Sequence, residues 1–149
     1  MRLNSGVRQK VKALPLEHKG RIQQLYMRLR DLAHEIRSVD STLNLMRAIF
    51  WIALLVLVVW AVRLFTGEEL PDVLGGVGLI ATPAAWLYLK EVRDKARALF
   101  REQQEIKREL ETYGACVSDT FGSIRVYAGS FSDECLIDPL DDSTYGDPA

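Results

Sequence analysis

Apolar and polar positions along this chain follow two rhythms, and each predicts its own kind of helix. From Leu16 to Met46 the apolar side chains fall at Ile22, Leu25, Leu29, Leu32, Ile36, Val39, Leu43 and Met46, in steps of three and four. A second series runs Leu89, Val92, Ala96, Leu99, Gln103, Ile106, Leu110 and Tyr113, with one polar interruption at Gln103. Such stepping places one apolar seam along a helix, and a seam kept up over several heptads is the mark of a coiled coil. Between the two series the rhythm is lost because nearly everything is apolar. Ala48 to Val62 reads AIFWIALLVLVVWAV with no polar side chain, and Val73 to Leu89 reads VLGGVGLIATPAAWLYL with only Thr82.

A helix that is apolar on every side needs either a large core or a bilayer around it. A chain of 149 residues has too little left to build that core. Crossing ~30 Å of hydrocarbon takes about 20 residues. The first stretch is shorter, but Arg47 and Arg63 can snorkel their charges outward while Leu64 and Phe65 extend it. The pattern therefore predicts an all-α membrane protein: a two-span transmembrane helical hairpin continued into a cytoplasmic antiparallel coiled-coil stalk, with an acidic, partly disordered C-terminal tail. Its expected segments are a basic flank (1–15), a stalk helix (16–47), a span (48–65), an acidic outer loop (66–72), a second span (73–89), a second stalk helix (90–113) and the tail (114–149). Pro15 suits the entry to the first helix, and Gly114 suits a stop just beyond the second.

Both seams carry into the spans without a change of phase. From Met46 the stepping gives Phe50, Ala53, Leu57, Trp60 and Leu64; backward from Leu89 it gives Ala85, Thr82, Gly78, Gly75 and Pro71. With Met46 opposite Leu89, Phe50 faces Ala85, Leu57 faces Gly78 and Trp60 faces Gly75, so large side chains meet small ones. Lipid tails compete equally well for apolar surface, so helices associate in a bilayer mainly where small residues permit close approach. The glycines of GGVG are accordingly assigned to packing and not to a phosphate cradle, which would need a preceding strand. Pro83 is the expected hinge, since it removes the hydrogen bond to Leu79, with the Thr82 hydroxyl as a local substitute donor.

The net charge of -1 hides an asymmetry. Residues 1–47 hold ten Lys/Arg against four Asp/Glu, residues 64–72 hold three acids and no base, and residues 90–113 hold seven bases against six acids. Lys/Arg in short flanks set orientation, which places both termini on the cytoplasmic side and the acidic loop outside. The first apolar run begins at Ala48, far too late for a cleavable signal peptide. Arg47, Lys90, Arg93 and Lys95 are expected beside anionic lipid head groups. Cys116 and Cys135 then lie on the reducing side and match no metal spacing, so both read as free thiols.

Residues 114–149 change character, with seven acids against Arg125 alone. One strand-like run, Ser123 to Ala128, stands out, and the last ten residues read as disordered. The tail is either a recruiting arm for a cytoplasmic protein or a solvated end.

Catalytic candidates are few. His18 and His34 lie about 24 Å apart on one helix, and no nucleophile, Walker or zinc-protease motif is present. The sequence thus predicts a non-enzyme without metal or cofactor. Arg28, Arg30 and Arg37 alternate with Asp31, Glu35 and Asp40, the pattern of a solvated helix exterior and not of a nucleic-acid surface. What remains is Glu68, Glu69 and Asp72 in TGEELPD, which could form an acidic ring at a pore mouth if several subunits surround one axis.

The order of coiled coil, span, acidic loop, span and coiled coil resembles the pore core of the mitochondrial calcium uniporter family. In that family a W-D-x-x-E-P motif opens the second span and its carboxylates select calcium. Here Glu68-Glu69-Leu70-Pro71-Asp72 offers a Glu and a Pro that are not adjacent, without the Trp and first Asp. Over about Leu16 to Tyr113 the layout also resembles the SLATT group of bacterial two-span proteins. That resemblance implies a pore-forming effector of a bacterial inner membrane, triggered by a nucleotide-sensing partner. Two functions are expected on these grounds. One is a homo-oligomeric, membrane-perturbing effector controlled through its stalk, with Gln103 setting register. The other is a membrane-anchored adaptor with no transport activity.

Overall fold

A computed structural model of the chain describes residues 13–67, 72–120 and 123–146. Two long helices dominate it: α1, Lys19–Thr66, and α2, Asp72–Thr112. Five short strands complete it: β1 (Leu14–Pro15), β2 (Ala115–Thr120), β3 (Ser123–Ala128), β4 (Leu136–Ile137) and β5 (Tyr145–Gly146). The helices pack on each other, and both are long and apolar enough to cross a membrane. The chain divides into two compact units, residues 1–34 with 101–149 and residues 35–100.

In the first unit the seam is the core. Ile22, Leu25, Leu29 and Leu32 of α1 are buried, as are Gln103, Ile106 and Leu110 of α2. The two helices run antiparallel here. Arg21 donates from Nε and Nη2 to the two Glu109 carboxylate oxygens at 2.8 and 3.1 Å, and Arg28 Nε donates to Glu102 Oε1 at 2.8 Å. Seven residues onward in α1 correspond to seven backward in α2.

The expectation of an all-α fold is corrected in this unit. Gly114, at φ 87°, ends α2 and its N–H donates to Glu111 O at 3.0 Å, which turns the chain into β2. Strands β2, β3 and β4 form an antiparallel meander in that order, with Cys116 opposite Tyr127 and Tyr127 opposite Leu136. The strand-like run Ser123–Ala128 is the central strand. Val117 of β2 and Val126, Tyr127 and Ala128 of β3 are buried.

The expectation of a disordered end is corrected over residues 140–146, while residues 147–149 lie outside the described residues. Residues 136–146 are folded, and β5 pairs with β1 in parallel, Leu14 opposite Tyr145 and Pro15 opposite Gly146. Aspartates that read as solvating charge instead shape turns: Asp138 accepts from the Leu140 N–H and Asp141 from the Ser143 N–H, both at 3.0 Å. The entry to α1 also differs from expectation. Pro15 belongs to β1, a 3-10 turn (Leu16–His18) follows, and α1 begins at Lys19. No break separates the expected segments 16–47 and 48–65, which are one helix.

In the second unit the seam persists but is less covered. Leu89, Val92, Ala96 and Leu99 are buried, whereas Ile36, Val39, Leu43, Met46, Phe50, Ala53, Leu57 and Trp60 are half-buried. It fails at Leu64, which is 57% exposed. Many of the other apolar side chains are exposed, among them Trp51, Ile52, Leu55, Val62, Val73 and Ile80. Only 6% of the most apolar stretch of the first helix and 22% of that of the second is buried. The core helix of a water-soluble bundle would be mostly covered; these are not.

Candidate functional site

Three places hold residues singled out by the sequence: the paired apolar helices, the acidic loop and the polar residue in the seam. The helix pairing has the most defined geometry. Gly75 is buried, and a Cβ added to it would run into the Trp60 indole, so the ring lies flat against bare backbone. Gly78 is buried too, and a Cβ there would lie 3.3 Å from Leu57 Cβ and Cδ1. The expected pairs Trp60–Gly75 and Leu57–Gly78 are therefore both formed, three residues onward in α1 matching three backward in α2. Phe50 and Ala85 are half-buried on the same seams, and Phe50 makes an edge contact with Trp51 at 6.0 Å between ring centroids. Gly76, next to Gly75, meets nothing within 4 Å.

Pro83 lies inside α2, which continues through it from Asp72 to Thr112. Thr82 Oγ1 donates to the Gly78 carbonyl at 2.7 Å. This corrects the expected substitution at Leu79: the hydroxyl takes the carbonyl four residues before its own position, the usual reach of a helical Thr. The bond satisfies the one polar side chain of the second apolar stretch without an outside partner.

The acidic loop yields less. Glu68 and Glu69 lie outside the described residues. Asp72 is exposed and opens α2, where a carboxylate is favoured by the unpaired N–H groups of the first turn.

Gln103 is 4% exposed, and its Nε2 donates to Asp119 Oδ2 at 3.2 Å. Burying an amide is costly unless it is hydrogen-bonded, and a carboxylate is a strong acceptor. The polar interruption thus holds β2 to α2 within one chain.

A fourth place, where the tail closes on the start of α1, was not among the expected sites. Lys19 pairs with Asp142 at 2.6 Å and sits 5.7 Å from the centre of the Tyr145 ring. The buried Tyr145 hydroxyl donates to the Pro139 carbonyl at 2.6 Å, and Gln23 Nε2 donates to the same carbonyl at 3.3 Å. Burial, with Asp142 and Asp138 adding to it, raises the Tyr145 phenol above its ordinary pKa. Hydrogen bonds from Ser143 lower the carboxyl of Asp141 below its own. The alternation of apolar and acidic residues in LIDPLDDSTYG is the only signal that could have revealed this arrangement. Cys116 and Cys135 are free and half-buried.

Comparison with protein-family models, curated proteins and solved structures finds no match for this chain.

Proposed function

We propose that this chain is a two-span integral membrane protein that holds a folded module, described over residues 13–34, 101–120 and 123–146, at the inner surface of the bilayer as an anchor for a protein partner. The observation that carries the reading is the outward apolar surface of residues 48–65 and 73–89, combined with a seam closed by Trp60 on Gly75. Trp51, Trp86 and Tyr88 are about half exposed or more at one end of these stretches, beside Arg47 and Lys90. Aromatic rings with basic neighbours suit a membrane–water interface. The excess of Lys/Arg at that end supports a topology with both termini inside. Because the tail is folded onto the module, the partner meets a shaped surface and not a loose acidic arm.

Alkaline carbonate extraction, with thiol-reactive labelling of Cys116 and of a cysteine introduced at Gly67, tests the reading. Retention in the membrane, with Cys116 labelled only after the inner face is opened and position 67 labelled from outside, is the expected result. Release by carbonate, or labelling of both from one side, rejects it.

A second reading keeps the pore-forming effector, assembled from several copies. Gly76 favours it, since this open glycine on α2 would let another helix approach closely. Each conducting path would then be walled by apolar side chains, as in pores that gate by dewetting, with Glu68, Glu69 and Asp72 at its mouth. Light scattering in mild detergent decides between the two. A monomer or dimer leaves the anchor; a ring of four or more, with cation flux that falls when all three acids are neutralised, replaces it with the pore.

A further inference from the structure

Beside the helix seam of residues 35–100 lies a cavity of about 320 Å³ between α1 and α2. From α1 it is lined by Ser38, Val39 and Thr42, and from α2 by Tyr88, Glu91, Val92 and Lys95. Val39 and Val92 are seam residues and form its apolar floor. The rest is polar: two aliphatic hydroxyls, one phenol, one carboxylate and one ammonium. Thr42 donates its proton to the Ser38 carbonyl at 2.9 Å and so presents its oxygen lone pairs.

The charges are arranged in an informative way. Glu91 and Lys95 stand one helical turn apart, the order in which a Glu and a Lys pair readily. They form no ion pair or hydrogen bond with each other or with any other described residue. Both side chains border the cavity as separate charges of opposite sign. Side chains of a helix lean toward its N-terminus, so the long stem of Lys95 brings its ammonium toward the level of Glu91. Tyr88, the lining residue nearest the second apolar stretch, lies two residues beyond Trp86, whose ring has the Lys90 ammonium 5.9 Å from its centre.

We propose that this cavity binds a phosphate–ammonium zwitterion, the head group of an aminophospholipid, with phosphate on Lys95 and a primary ammonium on Glu91. The proposal rests on the two-span reading, which puts the cavity on the inner side of the bilayer, with Glu91 and Lys95 about 3 and 9 Å along α2 from Leu89. A phosphate alone would satisfy Lys95 and be repelled by Glu91. An ammonium alone would do the reverse. A quaternary ammonium has no N–H to donate to Glu91, so the site distinguishes ethanolamine from choline.

The test is native mass spectrometry of the full chain released from mild detergent after titration with phosphatidylethanolamine, phosphatidylcholine or phosphatidylglycerol of equal acyl length. Phosphatidylethanolamine is expected to be retained about tenfold more tightly than the other two, the worth of one charge-assisted hydrogen bond. Glu91→Gln should remove the preference over phosphatidylcholine, and Lys95→Gln should weaken retention of both. Both positions are exposed on the helix surface, and unchanged helix content by circular dichroism confirms that the variants fold. Equal retention of the three lipids, or a preference that survives Glu91→Gln, overturns the proposal. If soluble glycerophosphoethanolamine displaces the lipid at equal concentration, the site serves a free zwitterion and the lipid assignment fails. Release of the chain by carbonate overturns the two-span reading as well, whereas carbonate resistance without head-group preference overturns this proposal alone.

Discussion

The two units hold the same pair of helices by different means. In residues 35–100 the described contacts between α1 and α2 are matters of shape: an indole on Gly75, a leucine against Gly78. In residues 1–34 with 101–149 the seam side chains are more completely buried, and the rim carries ion pairs, Arg21 with Glu109 and Arg28 with Glu102. On the proposed two-span reading, the difference follows from the solvent that each unit would meet. Water drives leucines together and tolerates charges at the rim. Hydrocarbon offers no such drive, so backbone must come close and every polar atom must be satisfied locally. Thr82, bonded to Gly78, meets that second demand.

Four substitutions can break or sharpen this comparison. The largest effect is expected at Leu29, which is fully buried: Leu29→Ala should cost about 2–5 kcal/mol of the stability of its unit. Leu64→Ala, at the exposed end of the seam, should stay within about 0.5 kcal/mol. Thermal melts followed by circular dichroism compare the two, and equal losses would mean that the seam is not what holds the helices together.

Next comes Gly75→Ala, which forces the Trp60 ring to move and should destabilise the hairpin by about 1–3 kcal/mol. Its neighbour makes a built-in control, since Gly76→Ala enters open space and should change little. Unfolding in mixed micelles of increasing denaturing detergent reads both. If the two variants unfold together, the indole-on-glycine contact carries no weight.

Much of the hairpin was legible before any coordinates because its determinants are periodic. The phase set by Ile22 to Met46 and by Leu89 to Leu110 continues through Leu57 and Trp60 to Gly78 and Gly75, and period alone pairs them. The tail was not legible because its determinants are not periodic. Pro139 is buried with its carbonyl shared by Tyr145 and Gln23, and Asp138 and Asp141 organise single turns. Seven acids in one segment resemble a solvated end unless one knows where Lys19 will lie. Gln103 misled for a related reason: its partner, Asp119, is on a strand that no alternation announced.

A smaller effect is expected where the tail meets the helix. Tyr145→Phe removes the donor to Pro139 and should cost about 0.5–1.5 kcal/mol, read as faster hydrogen exchange at residues 145–146. The raised phenol pKa gives a matching pH dependence. Tail docking should be constant below the ordinary tyrosine range and be lost as pH rises through the elevated value, because the folded tail favours the neutral phenol. Tyr145→Phe should abolish that alkaline loss; its survival in the variant would assign it to another group.

Leaving aside the two controls, the smallest effect belongs to Arg21→Ala. Its pair with Glu109 is bidentate but half-exposed, so the loss should not exceed about 1 kcal/mol and should shrink with added salt. A larger, salt-insensitive loss would show that the rim ion pairs carry the unit and that the seam is secondary.

The parallel pairing of β1 with β5 also bears on the order in which the chain is made. Leu14 leaves the ribosome before either helix, whereas Tyr145 follows both helices and the whole meander. At about 5–20 residues per second, many seconds separate the two. Through all that time Leu14, only 2% exposed in the finished fold, has no strand to cover it. A chain halted anywhere short of β5 therefore lacks the strand with which Leu14 and Pro15 pair.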